Sequence, residues 1–198
     1  MPFYDGMRWN TQLWDNTSRE EVLTIKISIN AGHTATGAGY GAVYKGFRES
    51  EINRAVATAL IPKLMKPGHT IHNSTVDKAD TSQAYLRAAV KSANNSGAEL
   101  FISIHCNAST AHTGHGVECW TYKGTQHTIA KRICANMAKL GFRNRGIKDG
   151  RNLYVVRNTD AKAILVELFF LDNYTDRKRY LELGADKIAT AIAEAIGK

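Results

Sequence analysis

Four residues stand where apolar segments have no obvious use for them. Glu167 interrupts "AILVELFFL" (163–171), a run otherwise typical of a strand covered on both faces. A carboxyl group there is either ion-paired or held by burial at a raised pKa, in the range useful for acid–base work. His105 ends a second apolar run, "LFISIH" (100–105), and Asn107 follows it. His33 comes just after a third, in "NAGHTATG" (30–37). Glu49 lies three and seven residues before Ile52 and Val56, so helical spacing puts its carboxylate on the core-facing stripe. Placement near a helix N-terminus explains one such glutamate, and a metal shared with two histidines explains all three. Two histidines and one carboxylate are the donor types of a catalytic zinc centre that keeps one position open. The second glutamate is then left as a general base, and the chemistry is amide hydrolysis. HExxH is absent, so a helical zinc-protease arrangement is not its source.

The surrounding elements must bring these four together. "LTIKISIN" (23–30) alternates strictly and predicts a half-buried strand. A glycine-rich loop leads to a helix from Glu49, with Pro62 near its end. A second helix spans 80–97, capped by Asp80 or Thr81 and closed by Asn95 and Gly97, with Leu86, Ala89, Val90 and Ala93 as its apolar stripe. Strands are expected at 98–107, 116–122, 151–158 and 161–173, and helices at 127–141 and from 176 to the end. Alternating strands and helices predict a single α/β domain: a central, mostly parallel mixed twisted sheet with helices on both faces. His33 and His105 would then share the carboxyl edge of that sheet, where open α/β sheets bind ligands. Alternation puts Phe101, Ser103, His105 and Asn107 on one side, so Asn107 either reaches a substrate or serves a turn.

The totals bound the function. A chain of 198 residues suits one domain with a full core, here residues 22–198, preceded by an aromatic-bearing arm at 1–21. Three cysteines and no CxxC read as reduced thiols of a protein made in a cytoplasm. Residues 1–21 lack the pattern of a secretory signal, and no run reaches membrane-spanning length. A net charge of +8 suits an anionic partner such as nucleic acid, lipid or a bacterial wall polymer.

The four segments together resemble the zinc-dependent N-acetylmuramoyl-L-alanine amidases of the amidase-3 type. "INAGHTATGAG" (29–39) matches the family's Gly-His after a strand, "ESEIN" (49–53) its Glu-x-x-x-Asn at a helix start, "SIHCN" (103–107) its Ser-Ile-His-x-Asn, and "AILVELFFLDNYTD" (163–176) its last strand. The resemblance runs from about 24 to 196. It implies one Zn2+ on His33, Glu49 and His105, catalysis by Glu167, and hydrolysis of the amide between N-acetylmuramic acid and L-alanine. It implies peptidoglycan as partner, with neither nucleic acid nor stable membrane insertion. Thr34 and Ala35 depart from the family's Gly-Gly, and Phe169 stands where the family has glycine. The "LFF" variant, the chain length and the missing signal look most like clostridial or phage endolysins. Those are made in the cytoplasm and act on the wall after release by a holin; a sporulation enzyme released by mother-cell lysis fits nearly as well.

Rival readings have weaker support. "GHTATG" follows a strand as a P-loop does, but Ala38 and Gly39 stand where Lys and Ser/Thr belong. His112 and His115 form an HxxH in a polar loop. Cys106 alternates away from His105, which argues against a Cys–His hydrolase. A wall-binding protein without catalysis rests on charge alone, and a zinc peptidase acting within the stem peptide would need the same donors.

Overall fold

A computed structural model describes residues 24–37 and 39–197. The arm at 1–21 and Leu23 of the first predicted strand lie outside them. In chain order the elements are β1 (Lys26–Ala31), β2 (Thr36–Gly37), β3 (Val43–Tyr44), β4 (Phe47–Arg48), α1 (Glu49–Met65), β5 (Thr70–Asn73), β6 (Lys78–Ala79), α2 (Ser82–Ser96) and β7 (Leu100–Asn107). Then come β8 (Val117–Thr121), α3 (Thr128–Lys139), β9 (Asn144–Asp149), α4 (Tyr154–Asn158), β10 (Lys162–Phe170) and α5 (Tyr174–Ile196). The central sheet has six strands in the order β5-β1-β7-β10-β8-β9. β5, β1, β7 and β10 run parallel, β8 is antiparallel to β10, and β9 is parallel to β8. The mixed, mostly parallel α/β domain is therefore as expected.

Strand alternation divides the core. Ile27 and Ile29, then Ile102 and Ile104, then Ile164 and Val166 face one layer, where α1, α3 and α5 cover them. Phe101, Ala163 and Leu165 face the other, under α2 and α4. On this second face the next side chains along the strands are polar: Ser103 and His105 on β7, Glu167 on β10. The apolar cover thus stops where the chemistry begins.

Three sequence expectations need correction. β1 is covered on both faces rather than half-buried; Ser28 and Asn30 are buried and bond to Ser74 and Ser103 instead of to water. Residues 151–158 contain α4, not a strand. A short apolar run such as "LYVV" fits either state. Here consecutive Val155 and Val156 are both buried, and the Asn158 side chain bonds back to the Tyr154 carbonyl. Both edge strands, β5 and β9, were absent from the sequence reading, because neither carries an alternating apolar pattern. Thr81 caps α2 by accepting from the Ala84 N–H, and Gly97 ends it at φ 67°.

Candidate metal centre and active-site cleft

β1 and β7 are parallel neighbours, so His33 and His105 emerge side by side at their carboxyl ends. Glu49 is the first residue of α1 and leans over the same edge. Its Oε1 lies 2.9 Å from His105 Nδ1 and its Oε2 3.2 Å from His33 Nε2. The three donor groups lie within 4.8 Å of one another. Donor atoms about 2.0–2.1 Å from a tetrahedral zinc ion sit about 3.3 Å apart, so the donors suit a cation of that size in chemistry and in spacing.

The backbone is shaped around this cluster. His33 adopts φ 66°, a left-handed conformation that costs a non-glycine residue on the order of 1–3 kcal/mol. Arg54 holds it there by donating from Nη2 to the His33 carbonyl at 3.0 Å, while the buried Thr34 closes the loop onto the Gly39 carbonyl. A side chain on Gly32 would strike the His105 ring, and one on Gly41 would strike Glu49 and His33. Two glycines therefore set how closely backbone approaches the donors. Glu49 also accepts from the Ala42 N–H at 2.8 Å and the Cys106 N–H at 3.1 Å. Burial alone would raise its pKa; hydrogen bonds from His105 and His33 outweigh that and hold it well below the usual carboxylate range.

Glu167 pairs with His105 in the register of β10 on β7. Its Oε2 is shielded from solvent and has no hydrogen-bond partner. Burial, reinforced by the charges of Glu49 and Glu118, pushes its pKa well above the usual range. No lysine or arginine pairs with it among the described residues, contrary to a structural ion-pair reading. Tyr85 of α2 lies against His33, ring centroids 5.9 Å apart, and burial with the nearby Glu49 charge pushes its phenol up to about 12.

Asn107 stands two residues beyond His105 and donates from Nδ2 to Glu118 Oε1 at 2.9 Å. Glu118 faces Glu167 across β8 and β10 and is buried. Its Oε2 accepts from Arg145 Nε at 2.6 Å. Sequence reasoning missed both. Glu118 carried the same signal as Glu167, a carboxylate inside an apolar strand, whereas Arg145 lay on the unread edge strand.

The remaining expectations resolve simply. His112 Nδ1 meets Asp172 at 2.8 Å and His115 Nδ1 the Thr113 carbonyl, so HxxH does not converge. The loop after β1 passes through β2, β3 and β4 before any helix, unlike a P-loop. Cys106 is buried in the core, and burial pushes its thiol well above the ordinary value, an inert thiol. Phe169, the glycine-site aromatic, packs between Phe142 and Tyr180 and stays out of the cleft. Asn173 caps α5, and Asp176 accepts from the Gly116 and Phe170 N–H groups, tying the loop after β7 to the end of β10.

The sequence profile described as N-acetylmuramoyl-L-alanine amidase matches residues 27–198. An uncharacterized protein of Clostridium perfringens is 35% identical over 179 residues, 88% of this chain and 52% of that one. The N-acetylmuramoyl-L-alanine amidase LytC of Bacillus subtilis is 28% identical over 183 residues, 89% of this chain and 36% of its own. This chain therefore spans about half or less of the length of those two relatives. Among solved structures, the catalytic domain of the CD27L endolysin targeting Clostridia difficile superposes with a TM-score of 0.75 at 28% identity, covering 87% of this chain and 96% of that one.

Proposed function

Because this chain belongs to the N-acetylmuramoyl-L-alanine amidase family, we propose that it hydrolyses the amide between N-acetylmuramic acid and L-alanine in bacterial peptidoglycan. The observation that carries the reading is the convergence of His33, Glu49 and His105 beside Glu167, a carboxyl group with one shielded oxygen that has no partner among the described residues. In this reading the first three hold one zinc ion. Bound there, zinc supplies Lewis acidity toward a carbonyl and lowers the pKa of a water.

The chain's own residues do the rest. Glu49 is kept ionised by its contacts and so arrives ready to ligate. Glu167 holds a proton readily and sits opposite His105, where it takes a proton from the attacking water and returns it to the leaving amide nitrogen. β10 holds Glu167 at the sheet edge, and the first turn of α1 holds Glu49 over it. The net charge of +8 favours approach to an anionic wall. A lytic role on the wall, of the endolysin kind, is supported by the likeness to the CD27L catalytic domain. No helix among the described residues is long and apolar enough to cross a membrane.

The test is mass spectrometry of the soluble fragments released from purified peptidoglycan by the zinc-loaded protein. The expected products are stem peptides with a new alanine N-terminus and glycan freed of peptide. Cuts within the stem would instead make it a peptidase using the same donors. Absence of any cut by folded, metal-loaded protein would leave a wall-binding role.

A further inference from the structure

Linked to the strand of His105 through Asn107 and Glu118 is an arginine whose arrangement the proposed hydrolysis does not use. Arg145, on β9, is fixed on two sides. Its Nε edge donates to buried Glu118 at 2.6 Å, and its guanidinium carbon lies 4.8 Å from the centroid of the Phe170 ring. Phe170 is itself clamped, because Gly114 packs on it so closely that any side chain there would collide with the ring. Glu118 is held from its other oxygen by Asn107. The guanidinium is therefore oriented before any ligand arrives. Its Nη edge has no partner among the described residues, and the side chain keeps 29% of its accessible surface.

The residues that hold it share the sheet face of the metal donors. Glu167, Glu118 and Asn107 all project on the sheet face that carries His105. Residues two apart on a strand are about 6.6–6.8 Å apart, so Asn107 and the group it holds begin about one such step from the metal donors. An extended peptide advances about 3.3–3.6 Å per residue. With the alanine amide at His105, the carboxyl group of the following residue lies two residue lengths away, about 6.6–7.2 Å, level with Asn107 and the Glu118–Arg145 pair it holds. A planar guanidinium with a free edge recognises a carboxylate in two parallel hydrogen bonds, which an amide cannot match.

We propose that Arg145 forms a carboxylate subsite that selects stem peptides bearing a free carboxylate on the residue after the alanine. Asn107 and Glu118 are its positioning residues. The subsite rests on the amidase reading for its place in the substrate. It also explains Asn107, whose amide donates to Glu118 and so serves the arginine.

The experiment compares two soluble substrates, N-acetylmuramoyl-L-alanyl compounds whose second residue carries either a free carboxylate or the corresponding primary amide. The zinc-loaded wild-type protein is expected to favour the carboxylate roughly tenfold or more in kcat/KM, through KM, as loss of a charged hydrogen bond implies. Arg145→Gln should bring that ratio close to one, and Arg145→Lys, which keeps a charge beside Glu118, should give an intermediate ratio. A wild-type ratio near one overturns the subsite, as does an Arg145→Gln protein that keeps the full ratio. If Arg145→Gln fails to fold, the wild-type and Arg145→Lys ratios decide. Titration calorimetry with the two alanyl dipeptides reads the same preference without catalysis. If neither substrate is cut, the amidase reading falls, and the dipeptide affinities alone uphold or overturn the carboxylate preference.

Discussion

Two polar patches lie one above the other on the same face of the central sheet, and they are built on opposite principles. The lower patch joins Ser28 and Asn30 of β1, Ser103 of β7 and Ser74 after β5. Ser28 donates to Ser74 at 2.9 Å, Asn30 to the Ser74 carbonyl at 3.1 Å, and Ser103 to Asn30 at 2.9 Å. It is buried, uncharged and closed on itself. The upper patch begins two residues further along β7. It holds two histidines and the carboxyl groups of Glu49 and Glu167, and Glu167 has a shielded oxygen with no partner. A closed network fixes the packing of strands, since satisfied buried polar groups specify one arrangement. An open one keeps groups available for a ligand, at a cost in stability. Substitutions in the two patches should accordingly fail in different ways.

The largest effect is expected at the donors. If Glu49 is the proposed zinc ligand, Glu49→Gln replaces its carboxylate by an amide and should lose both bound zinc and lytic activity, whereas Ser103→Ala, two residues from His105, should bind zinc as the wild type does. Elemental analysis of the purified proteins reads the first property and a turbidity assay on cell walls the second. Zinc retained at full occupancy in Glu49→Gln would remove Glu49 from the donor set. Chelation of the wild type should reproduce the loss, and added zinc should reverse it.

Glu167→Gln should come next. It keeps zinc but lowers the hydrolysis rate by roughly 10²–10⁴, the usual contribution of a general base. Folding should be unharmed, because the substitution removes a buried carboxyl group with an unpaired oxygen. Asn30→Ala should do the reverse. It strands Ser103 and the Ser74 carbonyl and should cost about 1–3 kcal/mol in urea unfolding, with zinc content unchanged. If Asn30→Ala also expelled zinc, the two patches would be one unit.

The sequence revealed these patches unequally. His33, Glu49, His105 and Glu167 were visible because each broke an apolar pattern, and such a break needs a physical reason. The central strands were visible for the same cause: both their faces are covered, so their side chains are apolar almost without interruption. The edge strands β5 and β9 have one free flank and half-exposed side chains, and their sequences, "TIHN" and "NRGIKD", carry no period to read. Arg145 went unseen with its strand. The lower patch was misread as a solvent-facing stripe, because Ser28 between isoleucines has the same pattern whether water or Ser74 satisfies it. Hydrogen-bond partners 44 to 73 residues away leave no local trace.

The smallest expected effect separates the two carboxylates of the upper patch in the metal-free protein. Glu167 has its folded pKa raised by burial first and by Glu49 and Glu118 next, from an ordinary 4.5. Between that value and the raised one, the folded chain binds more protons than the unfolded chain. Stability must then fall as pH rises through this window, by at most about 1.4 kcal/mol per pH unit. Glu49 acts in the opposite sense. Its pKa is held down by His105 and His33 against burial, so its contribution is present above 4.5 and is lost as pH falls below it. Urea midpoints of chelated protein measured upward from pH 5 should therefore slope less in Glu167→Gln than in wild type. Asn30→Ala should lower the whole curve and leave its slope alone, since no proton is bound there. An unchanged slope in Glu167→Gln would mean that the carboxyl group titrates normally in the fold, and its burial would then have to be relieved by water entering the cleft.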